Sequence, residues 1–328
     1  MKKYSIFITG GAGYVGSLLT SKLLSIGHKV TVYDLMIYGE NVLTNHKNLT
    51  KILGDIRDYK KIKETIKNHD IVIHLACISN DPSFEINPKL GKSINLDAFR
   101  PLVEMSIDAN IKRFIYASSS SVYGIKNTLD VNETMSLNPL TDYSIFKADC
   151  EKIIAEYKSN DFSTVTLRPA TVCGFSPRQR LDVVVNILTN LAYHKRKISV
   201  FGGDQLRPNI HIEDMVDAYI TLVDATHNII NGEIYNVGCQ NNSVRELAEI
   251  VKKVIGPDVE LETIPTDDNR SYHISSEKIK KDLNFETKKS IEQAVKDLKR
   301  SFELGILPNS LSDEKYFNLK RMQSINLK

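Results

Sequence analysis

Hydrophobic positions along the first half of the chain alternate between two periods. Residues 5–9 form a short apolar run, the pattern of a strand buried on both faces. From Ser17 to Ile26, Leu18, Leu19, Leu23 and Leu24 recur at helical spacing, and Gly27 stops the run. Residues 29–33, 52–53, 71–74, 113–118 and 165–169 predict further strands, with helical segments between them. Strand and helix in alternation to about residue 170 predict an α/β fold, a doubly wound parallel sheet with helices on both faces. Beyond Gly174 the rhythm changes, and segments 208–214 and 233–238 predict short strands interspersed with helices. From Leu307 onward the chain is polar and is expected to wrap the surface or to be partly mobile.

The turn after the first strand, Gly10-Gly11-Ala12-Gly13-Tyr14-Val15-Gly16, leads straight into the first helix. Glycines at 10, 13 and 16 allow a tight turn, close approach of backbone to a pyrophosphate, and close packing of helix on strand. The helix N-terminus adds N–H donors and positive dipole for phosphate. Asp34 ends the second strand, where a carboxylate accepts both hydroxyls of an adenosine ribose. These elements predict a dinucleotide site built on Gly10, Gly13, Tyr14, Val15, Gly16 and Asp34. Asp55, Ile56, Leu75, Ala76 and Pro169, at the carboxyl ends of neighbouring strands, are placed in the same site. Asp34 is followed by Leu35 and Met36, with no nearby Arg to hold a 2′-phosphate, so NAD is expected over NADP. His74, also at a strand end, reads as a structural imidazole.

Tyr143 and Lys147, four residues apart, share one face of a helix. An ammonium beside a phenol favours phenolate and lowers its pKa from about 10, which makes a usable base near neutral pH. A serine run at the end of strand 113–118 offers a hydroxyl to hold a substrate's reacting oxygen.

Composition narrows the classes. With 328 residues and 41% hydrophobic content the chain can bury a core as one large domain or two joined lobes. The 43 basic and 40 acidic residues are scattered, without a basic stripe interleaved with aromatics, so nucleic acid is not an expected partner. No apolar stretch approaches the ~20 residues of a membrane span, and no secretory signal is read. Cys77, Cys150, Cys173 and Cys239 lack paired spacing, which points to a reducing cytoplasm and no zinc.

Taken together, the Gly10/Gly13/Gly16 fingerprint, Gly54-Asp55, His74-Leu75-Ala76, Asn95, Ser119, Tyr143/Lys147 and Arg168-Pro169 resemble the extended short-chain dehydrogenase/reductases. More narrowly they are similar to the NAD-dependent epimerase/dehydratase family that acts on nucleotide-sugars, to about residue 303, and to its 4-epimerases and 4-dehydrogenases above all. The segment 170–182 resembles a bacterial heptose- and hexose-modifying subgroup.

The resemblance implies a Rossmann domain over 1–174, a smaller C-terminal α/β substrate lobe over 175–306 with chain crossings between them, and an extension over 307–328. It implies Tyr143 as base toward a sugar hydroxyl at C4, and Lys147 as the charge that lowers its pKa and as a ligand of the nicotinamide ribose. Ser119, three positions before Val122, then bonds the reacting oxygen. Ser120 and Ser121 stand where dehydratases carry an Asp-Glu pair, so dehydration is not expected; Asp81 and Glu133 are the only carboxylates that would substitute. A cysteine stands at the position of Ser120 in relatives that epimerise C3 or C5, so that chemistry is not expected either. Substrate contacts are expected from Ser79, Asn80, Ser120, Ser121, Thr171 and Arg178, with Arg207 and Arg270 on the diphosphate. Asn95 is expected to order the catalytic strand end. A homodimer is expected through segments 93–109 and 143–158, whose Ile94, Phe99, Leu102 and Val103 exceed what one inward face needs. A 4-ketosugar reductase using NAD(P)H, and a silent NAD-binding scaffold, are the alternatives.

Overall fold

The computed structural model describes residues 2–328 apart from Asn80, Asn127, Leu129, 267–270 and Tyr272. Among them are the strands β1 (Ser5–Thr9), β2 (Lys29–Asp34), β3 (Leu49–Leu53), β4 (Ile71–His74), β5 (Arg113–Ala117) and β6 (Ser163–Pro169). They are followed by β7 (Thr171–Cys173), β8 (Lys197–Phe201), β9 (Leu206–His211), β10 (Glu233–Val237), β11 (Gln240–Ser243) and β12 (Glu260–Ile264). Seven strands make one parallel sheet in the order β10-β6-β5-β4-β1-β2-β3. β1 lies between β2 and β4, so the connections diverge there and open a crevice beyond the strand ends, where ligands bind in such sheets.

Alternation along β1 shows why both faces are covered. Ile6 and Ile8 enter one core with Leu19, Leu23, Met215 and Tyr219, from helices Tyr14–Ile26 and Ile212–Asp224. Phe7 enters the opposite core with Phe99, Leu102, Phe114 and Cys150, from β5 and helices Phe99–Asp108 and Asp142–Ala155. The first helix begins at Tyr14, three residues before the apolar period starts, because Gly13 is its N-cap.

Two small sheets, β11-β9-β7 and β12-β8, belong to the lobe, with helices Val184–Lys195, Val244–Ile255 and Ile291–Glu303. The lobes are interleaved in sequence: Ile212–Asp224 packs against the first helix, and β10 returns to the large sheet beside β6. No helix among the described residues is long and apolar enough to cross a membrane.

Two expectations need correction. Segment 93–109 is not one helix; a π-turn at Ser93–Asp97 separates Pro88–Lys92 from Phe99–Asp108, and Pro101 has no N–H to carry a regular ladder across the junction. Ile94, Phe99, Leu102 and Val103 are all buried within one chain, so they form no free face and lend the expected dimer no support. The extension beyond Leu307 does more than wrap the surface. It forms a short helix, Asn318–Ser324, and buries Tyr316, Asn318 and Met322 against both lobes.

Candidate active site

A cavity of about 400 Å³ follows the crevice. At one end lies the glycine turn. Gly10 has φ +78°, and a Cβ there would stand 2.5 Å from the Ala76 backbone nitrogen; a Cβ on Gly16 would stand 2.3 Å from the Gly10 carbonyl oxygen. Neither position accepts another residue without moving the backbone. The unpaired amides of the first helical turn therefore open onto the cavity. Asp34 fixes the neighbouring strand end: one carboxylate oxygen accepts from Ala12 N at 3.0 Å and the other from Met36 N at 2.8 Å. Burial pushes the Asp34 carboxyl up, while the two amides and the Arg178 charge oppose this. These residues fit a dinucleotide: a helix N-terminus stripped of side-chain bulk, and a carboxylate beside it with lone pairs left over. Gly13, Tyr14, Val15, Asp55, Ile56, Leu75, Ala76 and Pro169 line the same cavity.

At the other end, Ser119, Tyr143 and Lys147 all reach the cavity. The helix carrying Tyr143 and Lys147 starts with a capping box from Thr141 to Ser144, and Thr141 Oγ1 also donates to Asp81 at 2.7 Å. Lys147 Nζ donates to the Ala117 carbonyl at 2.6 Å, 5.1 Å from the Tyr116 ring and 5.8 Å from that of Tyr143. Ser119 Oγ lies 2.8 Å from Ser121 Oγ. The expected lowering by Lys147 is not what this structure gives: burial pushes the Tyr143 phenol up, and Cys77 and Asp81 add to this, while the Arg180 charge and hydrogen bonding to Ser119, rather than Lys147, pull it back.

A buried cluster holds this end in register. Arg168 pairs with Glu151 at 2.6 Å, each side chain 4% exposed, and donates to Tyr123 OH at 2.7 Å. Ser118 Oγ donates to the same carboxylate at 2.5 Å. Glu151 lies one turn beyond Lys147, so the cluster ties the helix of Tyr143 and Lys147 to the ends of β5 and β6. Asn95, in the π-turn, accepts from Ile78 N and donates to Ile78 O, both at 2.9 Å, and so clamps the loop after β4. His74 is buried, 2.7 Å from Thr9 Oγ1, with burial and then Lys147 lowering its pKa to about 3.

Ser79, Ser120, Ser121, Thr171 and Arg178 line the cavity. Arg207 does not: it stands on β9 opposite Asn242, and its Nη1 donates to the adjacent Leu206 carbonyl at 2.9 Å. Asn80 and Arg270 lie outside the described residues. Arg178 and Arg180 lie two apart in the chain and close together in the cavity wall, each with its own partners. Arg178 is stacked 3.5 Å over the Tyr38 ring and its charge acts on Asp34, so it belongs with the dinucleotide end. Its buried Nε has no partner among the described residues. Arg180 donates to the Ser79 carbonyl at 3.0 Å and pairs with Asp182 at 2.5 Å. Arg180, weighed with Arg178 in the sequence as a substrate contact, lines the cavity; Cys77, Tyr38, Asn318, Met322 and Leu327 were missed as cavity residues. Of the two carboxylates suspected of replacing a dehydratase pair, Asp81 lines the cavity, whereas Glu133 accepts from Asn236 N at 2.7 Å and does not.

The NAD dependent epimerase/dehydratase family model matches residues 6–238. The chain is 32% identical over 267 residues to the uncharacterized UDP-glucose epimerase YtcB of Bacillus subtilis (strain 168), covering 76% of this chain and 82% of that one. It is 28% identical over 273 residues to a UDP-glucose 4-epimerase of Lactobacillus helveticus, covering 77% and 82%. Its structure resembles that of UDP-glucose 4-epimerase from Thermotoga maritima solved with UDP-glucose, with a TM-score of 0.82 and 26% identity over 92% of this chain and 99% of that one.

Proposed function

The chain belongs to the NAD-dependent epimerase/dehydratase family, and we propose that its reaction is hydride transfer at C4 of a nucleotide-diphosphate sugar, with Tyr143 as base. One observation carries the reading: Ser119, Tyr143 and Lys147 share a cavity with the glycine turn and Asp34. The names of the relatives, UDP-glucose 4-epimerases, agree with it.

Bound NAD supplies the hydride acceptor for the carbinol carbon. The chain's own residues manage the proton and the oxygen. Tyr143 phenolate takes the hydroxyl proton as the carbon–oxygen bond gains carbonyl character. Ser119 Oγ donates to that oxygen and offsets the charge on it. Lys147, held by the Ala117 carbonyl, and Arg180, held by Asp182 and Ser79, place two cations at this end of a buried site, where the phenolate would otherwise be costly. Asp34 takes the adenosine ribose, and a carboxylate there repels a 2′-phosphate. The absence of carboxylates at Ser120 and Ser121 leaves no acid–base pair for removing water across C5 and C6.

Incubation of the purified protein with a panel of nucleotide-diphosphate hexoses in D2O tests the reading by mass spectrometry and NMR. A C4 epimer or C4 ketone with C5 unlabelled is expected. Deuterium at C5 with loss of water would assign dehydration instead, with Asp81 the first residue to suspect.

A further inference from the structure

The cavity is walled on one side by residues from the far end of the sequence. Asn318, Met322 and Leu327 line it together with Tyr38 and Arg178. Asn318 is 5% exposed and ties its own segment to three other parts of the chain. Its Oδ1 accepts from Tyr38 OH at 2.9 Å and from Arg178 Nη2 at 2.5 Å. Its Nδ2 donates to Ser79 Oγ at 3.0 Å, and its backbone N–H donates to Asp182 Oδ2 at 2.9 Å. Tyr38 follows the strand that ends in Asp34, Ser79 follows β4, and Arg178 and Asp182 come from the loop beyond β7. One amide thus links both banks of the crevice. Two further bonds hold the segment down: Arg321 Nε to the Ile37 carbonyl at 2.6 Å, and Arg57 Nη2 to the Lys328 carbonyl at 2.7 Å. Met322 packs in the same apolar core as Ile56 and Ile78.

We propose that segment 318–328 is a built part of the dinucleotide site, with Asn318 as a positioning residue for Arg178 and Tyr38, and that it slows release of bound NAD(H). A dinucleotide lying between the glycine turn and Tyr143 is flanked by this wall. Release past it requires the Asn318 links to open together, because its partners belong to three different stretches, after β2, after β4 and beyond β7. The wall deepens the proposed function, on whose cofactor assignment it rests, since hydride taken from a sugar is more readily returned within the site when the dinucleotide stays bound.

The test measures NADH release from the full-length protein by fluorescence, with excess NAD+ as chase, and needs no sugar. Asn318→Ala, Met322→Ala and a chain ending at Phe317 are compared with the unmodified protein, and thermal melting without cofactor reports folding. Asn318→Ala and Met322→Ala should release NADH about tenfold faster, the effect of losing one or two buried contacts. Both remove buried groups and should lower the melting temperature of the cofactor-free protein, so release is compared at a temperature where every variant is folded. Should the truncated chain fail to fold, the point variants still decide. Release within about threefold of the unmodified protein for both point variants overturns the proposal. Failure of the unmodified protein to bind NADH would instead overturn the cofactor assignment.

Discussion

Replacing Glu151 tests whether the cluster beneath the catalytic residues holds them in place. Its carboxylate meets Arg168 through contacts of 2.6, 3.0 and 3.2 Å and accepts from Ser118 at 2.5 Å, with both charged side chains 4% exposed. Glu151→Ala leaves the Arg168 guanidinium buried, with Tyr123 its remaining hydrogen-bond partner among the described residues and the Glu133 charge acting on it without a direct bond. Stranding one member of a buried pair costs about 3–5 kcal/mol. Glu151→Gln keeps the volume and an acceptor for Ser118 but loses the charge, and should cost about 2 kcal/mol. The pair as a whole contributes far less than either half, because its attraction is offset by the desolvation of both ions. The double variant Glu151→Leu/Arg168→Met should therefore recover most of the loss. Urea unfolding of the four proteins measures these differences. The catalytic consequence is separate: Ser118 adjoins Ser119 and Lys147 lies one turn before Glu151, so Glu151→Ala should lower kcat even where folding is complete. Glu151 variants that each cost under about 1 kcal/mol, or a double variant that costs as much as Glu151→Ala or more, would refute this account.

Tyr143→Phe should fold and bind NAD yet lose about a hundredfold or more in kcat, and Ser119→Ala about 10–1000-fold; near-normal turnover in the first variant would remove Tyr143 as base. Because Arg180 pulls the Tyr143 phenol down, Arg180→Met should shift the acidic, ascending limb of the kcat/KM–pH profile to higher pH, and an unmoved profile would show its charge to be irrelevant there. Asp34 should give a lower Kd for NAD than for NADP, and the reverse preference by titration calorimetry would show that Arg178 dominates that end. His74 is depressed to about 3 by burial and Lys147, so below about pH 6.5 the unfolded chain binds a proton that the folded one does not. Stability should accordingly fall with decreasing pH toward about 3, by up to about 1.4 kcal/mol per pH unit, and His74→Gln should flatten that slope in urea titrations.

The sheet, the glycine turn and the Tyr143/Lys147 pair were legible in the sequence because each is a local pattern. A strand buried on both faces reads as an apolar run, a turn pressed against Ala76 reads as glycine, and two residues one turn apart read as one helix face. The number of apolar positions on segment 93–109 was just as visible, but what they pack against was not. Only the fold showed that Ile94, Phe99, Leu102 and Val103 are all used on the sheet. The same limit explains the arginines. Arg178 comes from a loop far from Asp34 in sequence yet its charge acts on that carboxylate, so the absence of an Arg beside Asp34 in sequence did not mean its absence in space. Arg207, placed on the substrate by resemblance, stands on β9 away from the cavity. Asn318 carried no signal at all: a single Asn in a polar segment acquires its four partners only when segments far apart in sequence fold around one crevice. Periodicity and turn chemistry are set by neighbours along the chain, whereas the cavity's far wall is set by residues that meet only once the core has closed.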